Sequence, residues 1–301
     1  MRVTHSMYVN HFTQNLARNQ RRQIQLYTQA SSGIRLHRPS DDPLAVSRVM
    51  RFDSELVDIE RFLSNALDAR DWLGATDAAL QEVHNVLHRA RELVILAANG
   101  TLADTDREAA ADELGQLLEH LVEVANTQYK GRYLFAGTET LTKPFTLLAS
   151  TDPVDGHVDY QVQYHGNDGA IERTIGPGVL LQVNQDGGVL EDVLEVLATA
   201  VEHMRANDVA SLSGSDLAEI DRVVDELLRI RSAVGARMNR AEWTGARLTD
   251  LSLQVPPLSP GLRDADVARV LVDLRAVEVT LQTSMAAAAR MFDTTLVNFL
   301  R

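Results

Sequence analysis

The clearest candidate for metal chemistry in this chain is a histidine pair one helical turn apart. His84 and His88 are separated by four residues, and Glu92 follows one turn further along the same helical pattern. Two imidazoles and a carboxylate at this spacing could bind Zn²⁺. The alternative is a polar face on a helix whose other side is buried, and we adopt it because such a helix must be solvated on one side. The sequence therefore assigns no metal ligands.

A second candidate is an acidic run that begins like a calcium-binding loop. Asp104, Asp106 and Glu108 have the spacing of the first three ligands, but Ala109 replaces the required glycine and Gly115 replaces the closing glutamate. Carboxylates in the first turn of a helix favour its dipole, which explains these residues without a metal.

Other catalytic signatures are absent from the sequence. The segment Gly176-Pro177-Gly178 lacks the following Lys-Ser/Thr of a phosphate-binding loop, and no G-x-S-x-G elbow occurs. The chain has no cysteine, which excludes disulfides, thiolate zinc sites and cysteine nucleophiles. We therefore expect no catalytic residues, no cofactor and no enzymatic activity.

Composition limits the partners. The chain has 301 residues with 29 basic and 42 acidic side chains, a net charge of −13. This charge argues against nucleic acid and against an anionic membrane surface as partners. No apolar run is long enough to span a membrane, and residues 1–19 have no apolar core or cleavage site of a signal peptide. We expect a protein that is cytoplasmic, or one that is exported without a cleaved signal.

Long helical patterns dominate the chain. Apolar residues recur every three or four positions across 43–98, which predicts one helix about 84 Å long. Asn99-Gly100 ends this helix, and Thr105 with Glu108 forms a capping box that starts the next, which is expected to stop at Gly131. The short connection predicts an antiparallel helical hairpin.

The apolar period changes to two in the middle of the sequence. Residues 158–165 alternate apolar and polar side chains, and 171–175 and 179–183 read as further strands. Helical patterning resumes at Leu190, breaks over 207–215 and continues to 251. The prediction is a small β-rich insert between two helical parts.

The predicted fold class is mainly α: a long antiparallel helical rod with a small β-rich insert, and N- and C-terminal helices that pair on assembly. The predicted domains are the terminal helices at 1–42 and 264–301, the helical rod at 43–131 and 189–255, the β-rich domain at 132–188 and a connector at 256–263.

Both ends of the chain carry an apolar stripe with no core of its own. The C-terminal stripe runs from Val267 to Phe299, and a thinner N-terminal stripe is formed by Phe12, Leu16, Ile24, Tyr27 and Ala30. Burying seven or eight large side chains contributes roughly 1.5–3 kcal/mol each, whereas ordering about 38 residues costs about 1–2 kcal/mol apiece. We therefore expect residues 1–42 and 264–301 to be mobile in the free monomer and to order on assembly with each other and with further copies.

Several segments together resemble the bacterial flagellin superfamily, and most closely its hook–filament junction branch. The resemblance covers both terminal thirds and rests on these motifs: Thr28–Leu36 with Pro39–Pro43, Asn99–Thr101 with Asp106-Arg107, Gly131–Gly137 with Pro144-Phe145, Gly235-x-Arg237-x-Asn239-Arg240, Asp264–Asp266, and Phe299-Leu300. The ending 292–301 is unlike the Gln-rich ending of many flagellins, and the insert is small, which favours the junction branch over the filament subunit.

The resemblance implies a secreted, flagellin-like structural role in motility, in a subunit that seats flagellin polymerisation on the hook. Such subunits leave the cell unfolded through the flagellar type III channel and need no cleaved signal. The implied partners are other copies of the chain in a ring or helical assembly, the other hook–filament junction protein, flagellin, and a cytoplasmic export chaperone on the C-terminal helix.

The resemblance also suggests roles for particular residues. The residues expected to form the assembly interface are Phe12, Leu16, Tyr27, Leu274, Leu281, Met285, Phe292, Leu296 and Phe299. Pro39, Asp41, Asp42 and Pro43 would form a connector that sets subunit register, with Asp42 as N-cap and Pro43 as first helical residue. The alternatives are flagellin itself or a minor filament subunit, and a secreted coiled-coil effector.

Overall fold

The computed structural model describes residues 5–151, 158–254, 261 and 263–299, without the side chains of residues 5, 8, 149, 151, 158, 159 and 290–299. Long helices and short antiparallel strand pairs make up this part, so the predicted mainly α fold with a small β-rich insert is confirmed. The elements in chain order are α1 His5–Ser32, α2 Pro43–Ala97, α3 Asp104–Ala125, β1 Gln128–Tyr129, β2 Arg132–Tyr133, β3 Phe145–Thr151, β4 Val158–Tyr164, β5 Glu172–Gly176, β6 Val179–Gln182, α4 Gly188–Arg205, α5 Val209–Ser211, a π-helical turn Leu212–Asp216, α6 Leu217–Gln254 and α7 Val267–Phe299.

The chain divides into two compact units. Met1–Val57 and Ser252–Arg301 form one, here named the terminal unit, and Asp58–Leu251 form the other, the central unit. The predicted domains have different boundaries and stay a prediction.

The core of the central unit is built on a regular repeat in α2. Ten buried positions follow one another in alternating steps of three and four: Ala66, Ala69, Leu73, Thr76, Leu80, Val83, Leu87, Ala90, Val94 and Ala97. This 3.5-residue repeat has the spacing of a coiled-coil seam, and α3, α4 and α6 contribute apolar side chains to the same core. Leu67 and Leu96 also fall on the apolar spacing read from the sequence, but both are exposed. The alanines at these buried positions allow the helices to pack closely, but each buries little apolar area. A sequence pattern based on large apolar side chains therefore does not identify them.

Helices α2 and α3 form the predicted antiparallel hairpin. Ala97 at the end of α2 contacts Arg107 near the start of α3, and Arg89, earlier in α2, pairs with Glu113, later in α3, at 2.8 Å. The two helices therefore run in opposite directions. The predicted capping box is wrong: the N-cap is Ala103, without a side-chain cap, because α3 begins one residue before Thr105.

The predicted end of α3 at Gly131 is also wrong. The helix ends at Ala125, and Gln128–Tyr133 form the β1–β2 hairpin instead. Lys130 and Gly131 both have positive φ, at 51° and 75°, which suits a two-residue hairpin turn and not a helix.

Arg107 is buried where α2 ends and α3 begins. Its Nε donates to the Ala97 carbonyl at 2.9 Å and its Nη2 to the Asn99 carbonyl at 3.2 Å, which satisfies acceptors left free at the end of α2. Its Nη1 contacts the side chain of Asn207. One cation therefore holds the α2–α3 connection to the end of α4.

The strands form three antiparallel pairs. β3 pairs with β4 from Phe145↔Tyr164 to Thr151↔Val158, and β5 pairs with β6 with a bulge between Thr174 and Gly176. The predicted strands at 158–165, 171–175 and 179–183 are confirmed within one or two residues. β3 and the β1–β2 hairpin were not predicted.

Two glycines lie where the insert leaves and rejoins the helices. Gly137 has φ +66°, and a side chain there would collide with the backbone of Asn167. A Cβ at Gly187 would lie 2.7 Å from the Phe135 carbonyl oxygen. The Tyr164 hydroxyl accepts from the Gly187 N–H at 3.2 Å and donates to Phe135 at 3.1 Å. The two boundaries of the insert are thus packed against each other.

The predicted break at 207–215 is shorter than expected. α5 begins at Val209 and continues through the π-helical turn into α6, so only 206–208 separate α4 from helical structure. The Asp208 carboxylate accepts from the Ser211 N–H at 3.1 Å and caps this start, which explains why a polar segment is helical. Among the described residues, no helix is long and apolar enough to cross a membrane.

Candidate assembly surface

The terminal helices pack against each other in the terminal unit. Leu26 of α1 and Val270 and Leu274 of α7 form a small buried cluster, with Ala30, Ala265 and Val277 at its edge. The helices run antiparallel, since Tyr27 contacts Glu278 and Ile34 forms a bridge with Asp264. The terminal helices are thus paired, and the expectation that they order only on assembly stays a prediction.

The face of α1 that meets α7 differs by one residue from the predicted stripe. Leu26 is buried, whereas Ile24 is 66% and Tyr27 50% exposed. Gln23 occupies the position one turn before Leu26 on this face, so the stripe is interrupted by a polar residue in the sequence. Ile24 and Tyr27 therefore leave an apolar surface outside the helix pair.

Tyr27 contacts α7 through its polar end. Its hydroxyl donates to Glu278 Oε1 at 2.8 Å, and this hydrogen bond and the carboxylate charge raise the pKa of Tyr27. Glu278 was not among the predicted residues, because a single glutamate on an amphipathic helix carries no pattern that marks it.

The other predicted interface residues differ in exposure. Phe12 and Leu16 are half-buried, Leu274 and Leu281 are buried, and Met285 is exposed. The side chains of Phe292, Leu296 and Phe299 lie outside the described residues. Whether any of these side chains contacts another subunit stays a prediction.

A short backbone ladder joins the segments that adjoin the two terminal helices. The Arg35 N–H donates to the Arg263 carbonyl at 2.7 Å, and the Ala265 N–H donates to the Gly33 carbonyl at 2.8 Å. Gly33 has φ +69°, the left-handed conformation that ends α1 and turns the chain into the ladder. Leu26 and this ladder are the features that the sequence reading missed, whereas Val270 belongs to the predicted C-terminal stripe. The four-residue step from Leu26 to Ala30 was the available signal for Leu26.

Two aspartates organise the connector. Asp41 Oδ2 accepts from the N–H groups of His37 and Arg38 at 3.1 and 2.9 Å. Asp42 Oδ1 accepts from the Ala45 N–H at 3.0 Å, which lowers the pKa of Asp42, and the predicted N-cap is confirmed. Pro43 is the first residue of α2, as predicted, and Pro39 is exposed in the connector.

The histidine pair does not form a three-ligand site. His84 Nε2 and His88 Nε2 are 3.0 Å apart, but Glu92 pairs with Arg89 at 2.9 Å. Burial, then the neighbouring His88 and Arg231, lower the pKa of His84. In the part of the chain that the structure describes, no group of three or more histidine or acidic side chains could hold a metal ion.

The chain is similar in sequence to known flagellar proteins. Residues 3–140 match the family model of the bacterial flagellin N-terminal helical region. The resemblance to the flagellin superfamily is confirmed. The chain is 24% identical over 310 residues to flagellar hook-associated protein 3 of Escherichia coli (strain K12), with 97% of each chain covered. It is 26% identical over 275 residues to flagellin FlaB1 of Treponema pallidum (strain Nichols), with 90% of each covered.

A solved structure has the same fold. The crystal structure of Bacillus cereus FlgL matches with a TM-score of 0.58 and 25% sequence identity, and the match covers 70% of this chain and 99% of that chain. Both of the relatives are flagellar proteins by name.

Proposed function

We propose that this chain is a structural subunit of the bacterial flagellum that forms the junction between hook and filament and seats flagellin polymerisation. The observation that carries this proposal is the end-to-end match to flagellar hook-associated protein 3, which covers 97% of each chain. It is supported by the likeness to FlgL over nearly the whole of that structure.

Assembly through the terminal helices fits the distribution of apolar surface. The pair buries one stripe of α7, yet further apolar side chains of that helix are exposed: Val267, Leu271, Val272, Val279 and Met285. A helix that is apolar beyond the stripe facing its partner needs more neighbours. We propose that other copies cover these residues together with Phe12, Leu16, Tyr27, Leu274, Leu281, Phe292, Leu296 and Phe299.

The connector would transmit the position of the terminal helices to α2. Asp41 and Asp42 fix its backbone, and Pro39 and Pro43 restrict it further. We propose that these residues set the register of the subunit in the assembly.

The proposed partners are further copies of the chain, a second junction protein on the hook side and flagellin on the filament side. The exposed apolar face of α7 is an aggregation hazard before assembly, so a cytoplasmic chaperone is expected to cover it. The proposed location is the extracellular flagellum, reached through the flagellar type III channel without a cleaved signal peptide. Neither nucleic acid nor a membrane is a proposed partner, and the proposed role involves no catalysis.

Flagellin, or a minor filament subunit, is the second candidate. It is favoured by the identity of 26% with flagellin FlaB1 over 90% of both chains. The two candidates predict different fates for flagellin when this chain is missing.

Deletion of the gene separates them. The cell envelope is imaged by electron microscopy and the medium is blotted for flagellin, with a plasmid copy of the gene as control. Hooks without filaments and with monomeric flagellin in the medium support the junction role. Hooks without filaments and no flagellin in the medium mean that this chain is the flagellin. Intact filaments with normal motility contradict both.

A further inference from the structure

The terminal unit and the central unit carry net charges of opposite sign. The terminal unit has 13 basic and 9 acidic residues, a net charge of +4. The central unit has 16 basic and 33 acidic residues, a net charge of −17. The excess of arginine at the terminal unit is therefore a local property that the overall charge of −13 does not reveal.

The two units also differ in how their arginines are paired. Most arginines of the central unit form ion pairs with carboxylates of the same chain: Arg61, Arg70, Arg89, Arg91, Arg107, Arg173, Arg205, Arg222, Arg229 and Arg231. In α1, Arg18, Arg21 and Arg22 are exposed, and the helix contains no acidic residue. Among the described residues, no carboxylate lies within ion-pair distance of these three.

These guanidinium groups line two adjoining recesses of the terminal unit. One, of about 520 Å³, is lined by Arg18, Arg21, Arg22 and Arg35, with Asp273 as its acidic residue. The other, of about 310 Å³, is lined by Arg21, Ile24, His37 and Arg38, with Asp41 as its acidic residue. Asp41 already accepts two backbone N–H groups, and Arg35 lies 3.5 Å from Asp42.

The arginine surface is here defined as Arg18, Arg21, Arg22, Ile24 and Arg38. It combines four guanidinium groups with an isoleucine that is two-thirds exposed. Guanidinium groups bind carboxylates through two parallel hydrogen bonds, and an adjacent apolar side chain excludes water from such pairs. The chemistry of this surface therefore selects a face that carries carboxylates beside apolar groups.

We infer that the arginine surface docks a carboxylate-rich face of the central unit of a second copy of this chain. The inference rests on the proposed function, because it requires copies to assemble. The central unit has 17 more acidic than basic residues, and carboxylates crowd on α4 at Glu191, Asp192 and Glu195. Arg222 of the same chain lies 3.6 Å from Asp192, which leaves Glu191 and Glu195 as the carboxylates offered to a neighbour. Arginines of a neighbouring copy would relieve the repulsion within such a cluster.

The opposite signs also determine the kind of contact. Two copies cannot join through the arginine surface itself, because like charges would face each other. A basic surface of one copy must meet an acidic surface of the next, which is a heterologous contact. Contacts of this kind generate rings or helical assemblies rather than closed dimers.

Charge reversal in the full-length chain tests the docking surface. The variant with Arg18→Glu, Arg21→Glu and Arg22→Glu is expected to be secreted normally, but to be recovered in purified flagella at a level about tenfold lower or less. The variant with lysine at the same three positions keeps the charge and is expected to assemble within about twofold of the parent. Arg229→Glu is the matched control, because Arg229 is an exposed arginine of the central unit.

Secretion and fold are measured for each variant. Far-ultraviolet circular dichroism and urea unfolding of the secreted charge-reversal variant must match the parent, which separates loss of docking from loss of structure. Normal recovery of this variant in flagella would overturn the inference. Such a result would leave the junction role intact, since that role is tested by gene deletion.

The occupant is identified by crosslinking. A photo-crosslinking amino acid is incorporated at Gln25, which lines both recesses, and assembled flagella are irradiated. Mass spectrometry that finds an adduct with a peptide from residues 58–251 of a second copy supports the inference. An adduct with flagellin, with a hook-side protein or with α1 of a second copy overturns it, as does the absence of any adduct.

Discussion

Asp42 holds the first turn of α2 through its contact with the Ala45 N–H. This hydrogen bond lowers the pKa of Asp42 below its usual value of 3.8. A lowered pKa in the folded state means that the stabilisation is complete above the unfolded pKa and is lost as pH falls through the folded pKa. We expect the Ala45 amide proton shift to titrate with a midpoint below 3.8 in NMR spectra.

Asp42→Asn is the control for this titration, because asparagine caps a helix equally well and has no charge to lose. The Ala45 shift of this variant should be independent of pH in the same range. A midpoint at or above the usual value in the parent chain would contradict the assignment of the cap.

Arg107 is the second residue on which local structure depends. Arg107→Ala leaves the carbonyls of Ala97 and Asn99 without their donor in a buried site, so the free energy of unfolding should fall by about 3 kcal/mol. Urea unfolding measures this loss. Arg229→Ala, which removes an exposed ion pair, should change the value by less than about 1 kcal/mol. A similar small change for both variants would show that Arg107 is not needed.

At the scale of elements, the sequence predicted the long helices and misplaced their faces. The helix over 43–98 was predicted to within one residue, because Pro43 and Asn99-Gly100 mark its ends chemically. Tyr27 was assigned to the apolar stripe of α1, although its neighbour Leu26 is the buried residue. A shift of one residue along a helix turns a side chain by about 100°, and only contacts with other elements decide between adjacent positions.

The strands were predictable only where side chains alternate. β4 alternates apolar and polar residues, whereas Leu147 and Leu148 are adjacent in β3, so this strand lacks the period of two. β1 and β2 contain two residues each, which is too short for any period. The assembly residues were predicted from the apolar stripes and from the family resemblance. The connector was predicted correctly at Asp42 and Pro43, because an N-cap aspartate followed by proline is a recognisable start of a helix.

The pair of α1 and α7 is expected to be weak in the free chain. Its buried cluster contains Leu26, Val270 and Leu274, few apolar side chains for two long helices. We expect amides of both helices to exchange rapidly in the free monomer, while amides of the α2 seam near Leu80 and Leu87 stay protected. Hydrogen–deuterium exchange with mass spectrometry measures this contrast, and strong protection of α1 and α7 would contradict it.

Leu274 is expected to be required for incorporation of the subunit into flagella. Leu274→Asp introduces a carboxylate next to Leu26, so the variant should be secreted but absent from flagella. Thr280→Asp is the control, since it adds the same charge to α7 at an exposed position. Normal incorporation of the Leu274 variant would refute the role of the helix pair in assembly.

At the scale of the whole molecule, the central unit contains a continuous core of its own. The cluster of buried side chains extends from Ala66 to Ala241 and includes residues of α2, α3, α4 and α6. A fragment of residues 58–251 is therefore expected to fold and to unfold in one cooperative transition in urea. Circular dichroism measures the transition, with the full-length chain as reference, and a gradual, non-cooperative loss of signal would contradict the expectation.

The glycines at the boundary of the β-rich insert have a consequence for how such a chain can diverge. Gly137 and Gly187 lie where any side chain would strike backbone, whereas outer positions of the strands between them, such as Leu148 and Leu180, are exposed. Sequence drift in related chains should be free to replace or lengthen the outer strands, provided that both glycines persist. An insert of this kind is an interchangeable module, and its two glycines are the fixed points at which one version can be exchanged for another.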